Sequence, residues 1–507
     1  MAVGLGLAAC GGSLEEQASA GADSVINTEL WYAPTNFDPA TASGDADVAV
    51  ARLGFDTLLR DGEDGLVGGL ATDWTAVSGS KYEFSIRDDA TCSDGTTITP
   101  TIIANSLQYV ATSQDSGAQS TKAAVFGTGT PTFTPDDAAG TLVIELSTPY
   151  AEVLSGLATE NTGIICPAGL ADPAGLAAGT VDGAWSGPYT LDSVKSGVSA
   201  SYALRSDYDA WPAWTSVTGT PAKTINITVS KDSNTSANLL SSGGVDVTRF
   251  YGSDAERFTA DDGFSYVTMP SSAYTLIFNE FDGSPFQDQA LRTAVAASID
   301  PEGFNDAGLD GLGTPLTTVT ASTVACTVDG SDLIQAVDPT TAAALAGQTV
   351  RLLAMSNWDP AIDYLAESMR AAGATVEVSA LDPADWQQKM RTEPGTWDIA
   401  LNATDVAAPL SRAVSTYLGP TVAEGGRNIG GADNPQGYQF LQDAQAAGEA
   451  ELQCESFQKA QQTILERRDM VPLITDTHYV IARDGFASSV FSGYWDISSL
   501  RLTNSQD

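Results

Sequence analysis

Residues 349–401 constrain the fold more than any other stretch of the chain. Val350-Arg351-Leu352-Leu353-Ala354 reads as a strand. Asp359-Pro360 then opens a helix whose apolar stripe is Ile362, Leu365, Ala366 and Met369, and Gly373 sits just past its end as a left-handed C-cap. Thr375-Val376-Glu377-Val378 reads as the next strand, Asp382-Pro383 opens a second helix, and Trp397 to Leu401 is a third strand. Strands and helices that alternate at this spacing imply a parallel sheet covered by helices.

Other elements are legible one at a time. Val25-Ile26-Asn27 opens a strand that runs into a loop ending near Phe37. Tyr82-Glu83-Phe84-Ser85-Ile86 alternates apolar and polar, as a half-buried strand does. Thr99-Pro100 supplies an N-cap and a first-turn proline, and Ile103, Leu107 and Val110 follow on one helical stripe. Leu142 to Leu146 is a strand, and residues 112–140, rich in Ser, Thr, Gly and Pro, read as a long surface excursion. Further strands are expected at Ile225 to Val229, Val245 to Val247 and Tyr274 to Phe278. Helices are expected at Asn234 to Leu240, at about 288–299 and at about 449–468.

A chain of 507 residues is too long for one core and suggests about two to four domains. The net charge of −41 excludes a phosphate-tracking nucleic-acid binder, which needs a basic face. It favours a neutral or cationic solute over a polyanion. The catalytic repertoire is thin. His478 is the only histidine, in the alternating run Ile474 to Val480, where a surface or pocket-edge position is expected. GxSxG, GxxxxGK[ST] and HExxH do not occur, so no nucleophile elbow, phosphate loop or zinc-protease helix is encoded. No cofactor and no metal are expected. Acidic residues are too numerous for a glycosidase-like carboxylate pair to be picked out.

The N-terminal run Leu7-Ala8-Ala9-Cys10-Gly11-Gly12-Ser13 resembles a bacterial lipobox, in which a signal peptide is cut before a lipid-bearing cysteine. Residues 1–22 then read as a lipoprotein signal remnant and tether, with Cys10 the lipid site. Lipid anchors because each buried methylene adds about 0.8 kcal/mol of membrane affinity. No Lys or Arg precedes Cys10, so the positive n-region is missing and further upstream residues are expected. With Cys10 set aside, Cys92, Cys166, Cys326 and Cys454 remain. Isolated cysteines in an exported chain read as disulfides, and these four allow three pairings.

Several segments, in order, resemble the peptide/nickel-type (cluster C, family 5) solute-binding proteins of bacterial ABC importers. They are Phe55-Asp56-Thr57-Leu58-Leu59-Arg60-Asp61, Gly69-Leu70-Ala71-Thr72-Asp73-Trp74 and Tyr82 to Arg87. Cys92-Ser93-Asp94-Gly95-Thr96-Thr97-Ile98-Thr99 resembles the family's Phe-Ser-Asp-Gly-Thr-Pro-Leu-Thr box, with Cys92 in place of Phe. Ser186-Gly187-Pro188-Tyr189 resembles Gly-Thr-Gly-Pro-Tyr, with one glycine lost. Phe278-Asn279, Pro285 to Asp288, Leu291-Arg292-Thr293-Ala294, Ile299-Asp300 and Val471-Pro472-Leu473 complete the set. Asp288 and Arg292 are expected to pair or cap within the fold, and Trp358 and Trp397 to pack.

The resemblance implies an α/β, two-lobe periplasmic-binding-protein-like fold (type II) with an extra inserted subdomain. Lobe I would comprise residues 23–270 with the insertion at about 53–182. Lobe II would comprise 271–480, and 481–507 would return to lobe I. Two crossing strands are expected near 269–279 and 473–483. In that layout the pairs Cys92–Cys166 and Cys326–Cys454 each stay within one lobe, leaving the hinge free. The implied function is capture of a solute, a peptide first, for delivery to an ABC permease by a monomeric, lipid-anchored, extracytoplasmic protein without enzymatic activity. Alternatives are a chemoreceptor or signalling binder without transport and an extracellular carboxylate-dependent hydrolase. The cleft residues implied are Tyr32, Thr35, Asn36, Tyr251, Ser253 and Asn279. Asp405 is added because peptide-binding relatives carry an acidic residue after the matching strand, four positions before a proline, that pairs with the peptide's α-ammonium.

Overall fold

The computed structural model describes residues 24–259, 263–406 and 409–503. Cys10 and the proposed tether lie outside the described residues.

Two long strands organise the molecule. Phe264–Phe278 and Met470–Arg483 run antiparallel from Phe264 opposite Arg483 to Ile277 opposite Met470. Both are longer than the crossing strands expected from the sequence. Their register slips between Pro270 and Ala273 and again between Tyr274 and Thr275. Pro270 has no N–H to give to a ladder, and a bulge is where a sheet accommodates this. The two strands are shared by both halves of one large sheet. On one side Val247–Tyr251 pairs with the 470–483 strand, followed by Val25–Leu30, Thr224–Val229, Ser199–Leu204 and Tyr189–Lys195. On the other side Ile399–Asp405 pairs with the second half of the 264–278 strand, followed by Thr349–Met355 and Thr375–Leu381.

The 349–405 region has the expected form. Its three strands are parallel, with helices Asp359–Ala371 and Pro383–Thr392 between them. Asp382 caps the second helix by accepting from the Ala384 and Asp385 N–H groups. Leu352, Ile362, Leu365, Met369, Ile399 and Leu401 share one core with Phe286 and Val295. Arg292 is buried there, donating to the carbonyls of Phe286, Arg467 and Arg468 and pairing with Glu280 at 2.8 Å. Asp288 caps its helix through the Ala290 N–H. These two residues are folding elements, as expected. Trp397 is buried, and Trp358 packs edge-on against Trp386 and Tyr274.

The inserted segment has its own four-stranded antiparallel sheet, ordered Ala71–Ser78, Lys81–Ile86, Thr141–Leu146 and Pro131–Asp136. Tyr82, Phe84, Ile103, Leu107, Phe126, Leu142 and Ile144 form its core. Here the structure corrects the sequence reading. Residues 112–140 are not an excursion: Ser116–Phe126 is a helix and Pro131–Asp136 an edge strand. Asp115 caps the helix through Gly117 N–H, and burial of Ala118, Val125 and Phe126 holds it down. The strand expected at Val245 to Val247 instead starts at Val247, after a turn through Gly243 at φ 80°.

The chain ends in a hairpin, Phe486–Phe491 and Tyr494–Leu502, whose Trp495, Ile497 and Leu500 join the core built on Ile26, Val50, Leu53 and Ile225. Both disulfides form as expected: Cys92–Cys166, with Cα atoms 6.0 Å apart, and Cys326–Cys454, at 4.6 Å.

Candidate solute-binding cleft

The cleft is built where the two long strands cross. Tyr251, the last residue of its strand, stands opposite His478 in the ladder. The ring centroids of Tyr251 and His478 are 3.6 Å apart, and those of Trp31 and Tyr251 are 3.7 Å apart. Trp31 follows directly on the strand Val25–Leu30, so three neighbouring strands each contribute one ring. Arg249 lies with its guanidinium carbon 5.2 Å from the Tyr251 ring and pairs with Asp45 at 2.6 Å. Burial pushes the Tyr251 phenol up to about 12, with Arg249 opposing the shift.

His478 Nε2 lies 3.6 Å from Asp476 Oδ2. Burial lowers the imidazole pKa more than Asp476 raises it, so the ring is neutral at pH 7. Asp476 also accepts from the Ser272 N–H at 2.6 Å, bridging the two long strands at the point where their register breaks. Ser272 stands in register with Asp405, the last residue of its strand, whose side chain is exposed. Tyr494 lies beside the hairpin turn, opposite Phe491 in the ladder. The residue is 36% exposed, and its phenol lies in the field of the carboxylates of Asp405, Glu160 and Asp45, with Arg249 opposing. The result is an aromatic wall beside an excess of carboxylates, a setting that suits an apolar body carrying a donor or cation.

The residues expected from the sequence divide. Tyr251 and Asp405 lie at the crossing. Tyr32 is 55% exposed next to Trp31, with the Lys231 ammonium 4.6 Å from its ring centroid. Thr35 and Asn36 belong to the adjoining loop, but Asp47 holds both: it accepts from the Thr35 N–H at 2.6 Å and the Asn36 N–H at 3.2 Å. The Asn36 amide is further engaged with Thr41 and the Asp38 N–H. Ser253 is exposed in the short turn Gly252–Ala255.

Asn279 stands apart from these residues. The strand Phe264–Phe278 reaches the cleft at its middle, and Asn279 lies just past its far end, beyond the Phe278–Ile399 pairing. Its amide donates to the Pro394 carbonyl and, at 2.8 Å, to the Trp397 carbonyl, and its oxygen accepts from the Phe281 N–H. At 3% exposure it is a buried clamp. The sequence reading passed over Trp31, Asp476 and Tyr494. Asp476, the one acidic residue of the strand Met470–Arg483, and His478, the only histidine of the chain, were the available signal for this pair.

A separate cavity of about 330 Å³ is lined by Glu63, Ser216, Val267, Ser488, Phe491 and Ser499, and none of the cleft rings lines it. Among the described residues no group of three His, Cys, Asp or Glu side chains is arranged to hold a metal ion, and no helix is long and apolar enough to cross a membrane.

Two halves that share a pair of long strands and carry separate hydrophobic cores define a two-lobe binding-protein fold. The chain belongs to the bacterial extracellular solute-binding proteins, family 5, whose model matches residues 65–421. It is similar to a substrate-binding protein from Microbacterium hydrocarbonoxydans, solved in complex with 4-hydroxybenzoate hydrazide. That pair is 35% identical with a TM-score of 0.75, covering 95% of this chain and 100% of the other. The substrate-binding protein CtaP of Listeria monocytogenes shares the fold at 18% identity and a TM-score of 0.78, covering 95% and 99% of the two chains. A curated relative, "Probable D,D-dipeptide-binding periplasmic protein DdpA" of Escherichia coli (strain K12), is 25% identical over 294 residues, 55% of this chain. The chain thus spans about half the length of that relative, 54%. The family is one of binding proteins, not enzymes.

Proposed function

We propose that this chain is the extracytoplasmic solute-binding subunit of an ABC importer, tethered by lipid on Cys10 and delivering a short peptide to the permease. In this reading lobe I comprises residues 23–270 with the insertion at about 53–182, lobe II comprises 271–480, and 481–507 return to lobe I. Their separate hydrophobic cores support that division. Solute enters between open lobes, and closure about the crossing strands is selected by contacts made only in the closed form.

The observation that carries the peptide reading is the place of Asp405. It ends a strand of one lobe, exposed and in register with Ser272, while on the other lobe Asp45 pairs with Arg249 beside Tyr251. A peptide α-ammonium between these carboxylates gains charge-assisted hydrogen bonds worth about 1.5–3 kcal/mol, and an aromatic or aliphatic side chain would pack on Trp31 and Tyr251.

The Microbacterium relative favours a second reading, a neutral aromatic hydrazide. Its ring suits the same wall but brings no full ammonium charge. Calorimetric titration with alanyl-phenylalanine, its N-acetyl form and 4-hydroxybenzoate hydrazide separates the two. The peptide reading expects binding of the first alone. Binding of the hydrazide alone would replace it, and binding of none would remove both.

A further inference from the structure

Away from the cleft, the inserted subdomain touches the second lobe through a buried carboxylate. Glu152 Oε1 accepts from the Ser411 backbone N–H at 2.8 Å. Its Oε2 accepts from the Ser411 hydroxyl and, at 3.1 Å, from the Tyr150 hydroxyl. Glu152 adjoins Val153 of the inserted core, whereas Ser411 follows Leu410 of the second lobe's core. They are 259 residues apart, and both are more than nine-tenths buried. The surface around them is close. Gln453 donates to the Ala151 carbonyl at 3.0 Å. A Cβ on Gly79 would meet the Gln445 carbonyl oxygen at 2.8 Å, and one on Gly448 would meet Ser78 Cα at 2.9 Å. Two glycine-bearing turns let the backbones meet here.

We infer that Glu152 is a positioning residue that sets solute affinity from outside the cleft, latching the inserted subdomain to the second lobe when neutral and loosening that latch when ionised. The inference rests on the two-lobe capture reading.

The chemistry is that of a carboxyl which must leave water for the lobes to close. Burial raises its pKa in the form seen here, while the bonds from Ser411 and Tyr150 oppose the shift without cancelling it. The charged groups of the second lobe around this surface include Glu449, which follows Gly448, and two cations. Arg412 follows Ser411 in its helix, and Arg427 acts on Tyr150. From the helix Ser116–Phe126 the Ala124 carbonyl also accepts from Tyr150. Opening returns Glu152 to water and to its ordinary pKa. The closed form therefore binds the proton more tightly, and acid favours closure. That contribution is complete below the open-form pKa and is lost as pH rises through the closed-form value. A glutamine mimics the protonated state: its oxygen still accepts from the Ser411 N–H, and its NH2 can donate to either hydroxyl.

Small-angle scattering of the ligand-free protein tests this without a ligand, at about pH 7.5 and about pH 5. The wild type should contract on acidification. Glu152→Gln should be compact at both values, and Glu152→Ala extended at both. Gly448→Ala, which wedges the same surface and leaves the carboxyl in place, should be more extended yet still contract in acid. Affinity for alanyl-phenylalanine should rise about threefold or more between the two pH values in the wild type and stay level in Glu152→Gln. Equal pH responses of wild type and Glu152→Gln would overturn the latch, even with peptide binding intact. Scattering that follows the expected order without peptide binding would keep the latch and overturn only the peptide reading. Circular dichroism checks that each variant folds. If Glu152→Ala does not, the comparison of wild type with Glu152→Gln decides alone.

Discussion

Arg60 and Asp496, 436 residues apart in the chain, are joined by a 2.7 Å ion pair with both side chains buried. Asp496 lies on the last strand and Arg60 on the short strand Leu59–Gly62, so this pair ties the chain end back to the first lobe. Arg52 adds a second contact to Asp496 at 3.6 Å and pairs with Glu160 at 2.8 Å. Burial alone would raise the Asp496 pKa, but Arg60 and Arg52 outweigh it and the net shift is downward. Asp496 thus contributes stability above the ordinary carboxylate pKa and loses it as pH falls through the folded value.

Asp496→Asn leaves two buried guanidinium groups short of a counter-charge. A loss of about 3–5 kcal/mol is expected, read as a lower urea midpoint near neutral pH. The difference from wild type should shrink as the solution is acidified. A change within about 0.5 kcal/mol would show that the C-terminal hairpin is not held by this pair.

Removing either disulfide should lower stability without weakening capture. The bonded cysteines are 74 and 128 residues apart; Cys92 and Cys166 share one core, and Cys326 packs on another whose Phe457 and Ile464 come from the helix that bears Cys454. The chain-entropy model gives up to about 4–5 kcal/mol for loops of this length. Cys92→Ala with Cys166→Ala, and Cys326→Ala with Cys454→Ala, should each lower the melting temperature. Affinity for a bound peptide well below that temperature should not move. A tighter or weaker affinity in either double variant would place its bond across the moving parts.

Local patterns exposed local structure. The alternation from Tyr82 to Ile86 and the capped stripe after Asp359 each record one buried face, which neighbouring residues suffice to specify. The helix at 116–126 escaped because its buried residues, Ala118, Thr121, Val125 and Phe126, make only a weak apolar stripe among small and polar neighbours. The cleft was harder still. Tyr251 and His478 meet because two strands more than 200 residues apart pair in one register, and nothing near either residue states that register. The surroundings of Asn279 were hidden for a related reason. The sequence shows where a strand ends but not which part of it faces the cleft. The fold came through family resemblance, which carries long-range pairing that local pattern does not hold.

Asp56 should give the protein a stability that falls between about pH 4 and pH 6. It is 2% exposed, accepts from the Tyr208 hydroxyl at 3.0 Å and lies 3.7 Å from Arg60. Burial pushes its pKa up to about 6, against the lowering effects of Arg60 and the Tyr208 hydrogen bond. A raised folded pKa means that the contribution is complete below the unfolded value, near 3.9, and is lost as pH rises through about 6. Urea midpoints across this range should fall less steeply in Asp56→Asn than in wild type. Parallel profiles for the two proteins would show that Asp56 ionises as it would in water.

Asp405 and Asn279 should part company when each is changed. Asp405 is exposed at the end of a strand that reaches the crossing, so Asp405→Asn should leave the melting temperature within about a degree or two of wild type. If the carboxylate receives a peptide ammonium, affinity for alanyl-phenylalanine should drop about tenfold or more. Asn279 clamps Pro394 and Trp397 inside the second lobe. Asn279→Ala strands the Pro394 and Trp397 carbonyls and the Phe281 N–H, so it should cost about 1–3 kcal/mol of stability while leaving affinity nearly unchanged at a temperature where the variant is folded. Calorimetry and thermal unfolding on both variants read the two effects apart. Loss of affinity in Asn279→Ala with full stability would return that residue to the cleft, and unchanged affinity in Asp405→Asn would remove the ammonium partner on which the peptide reading rests.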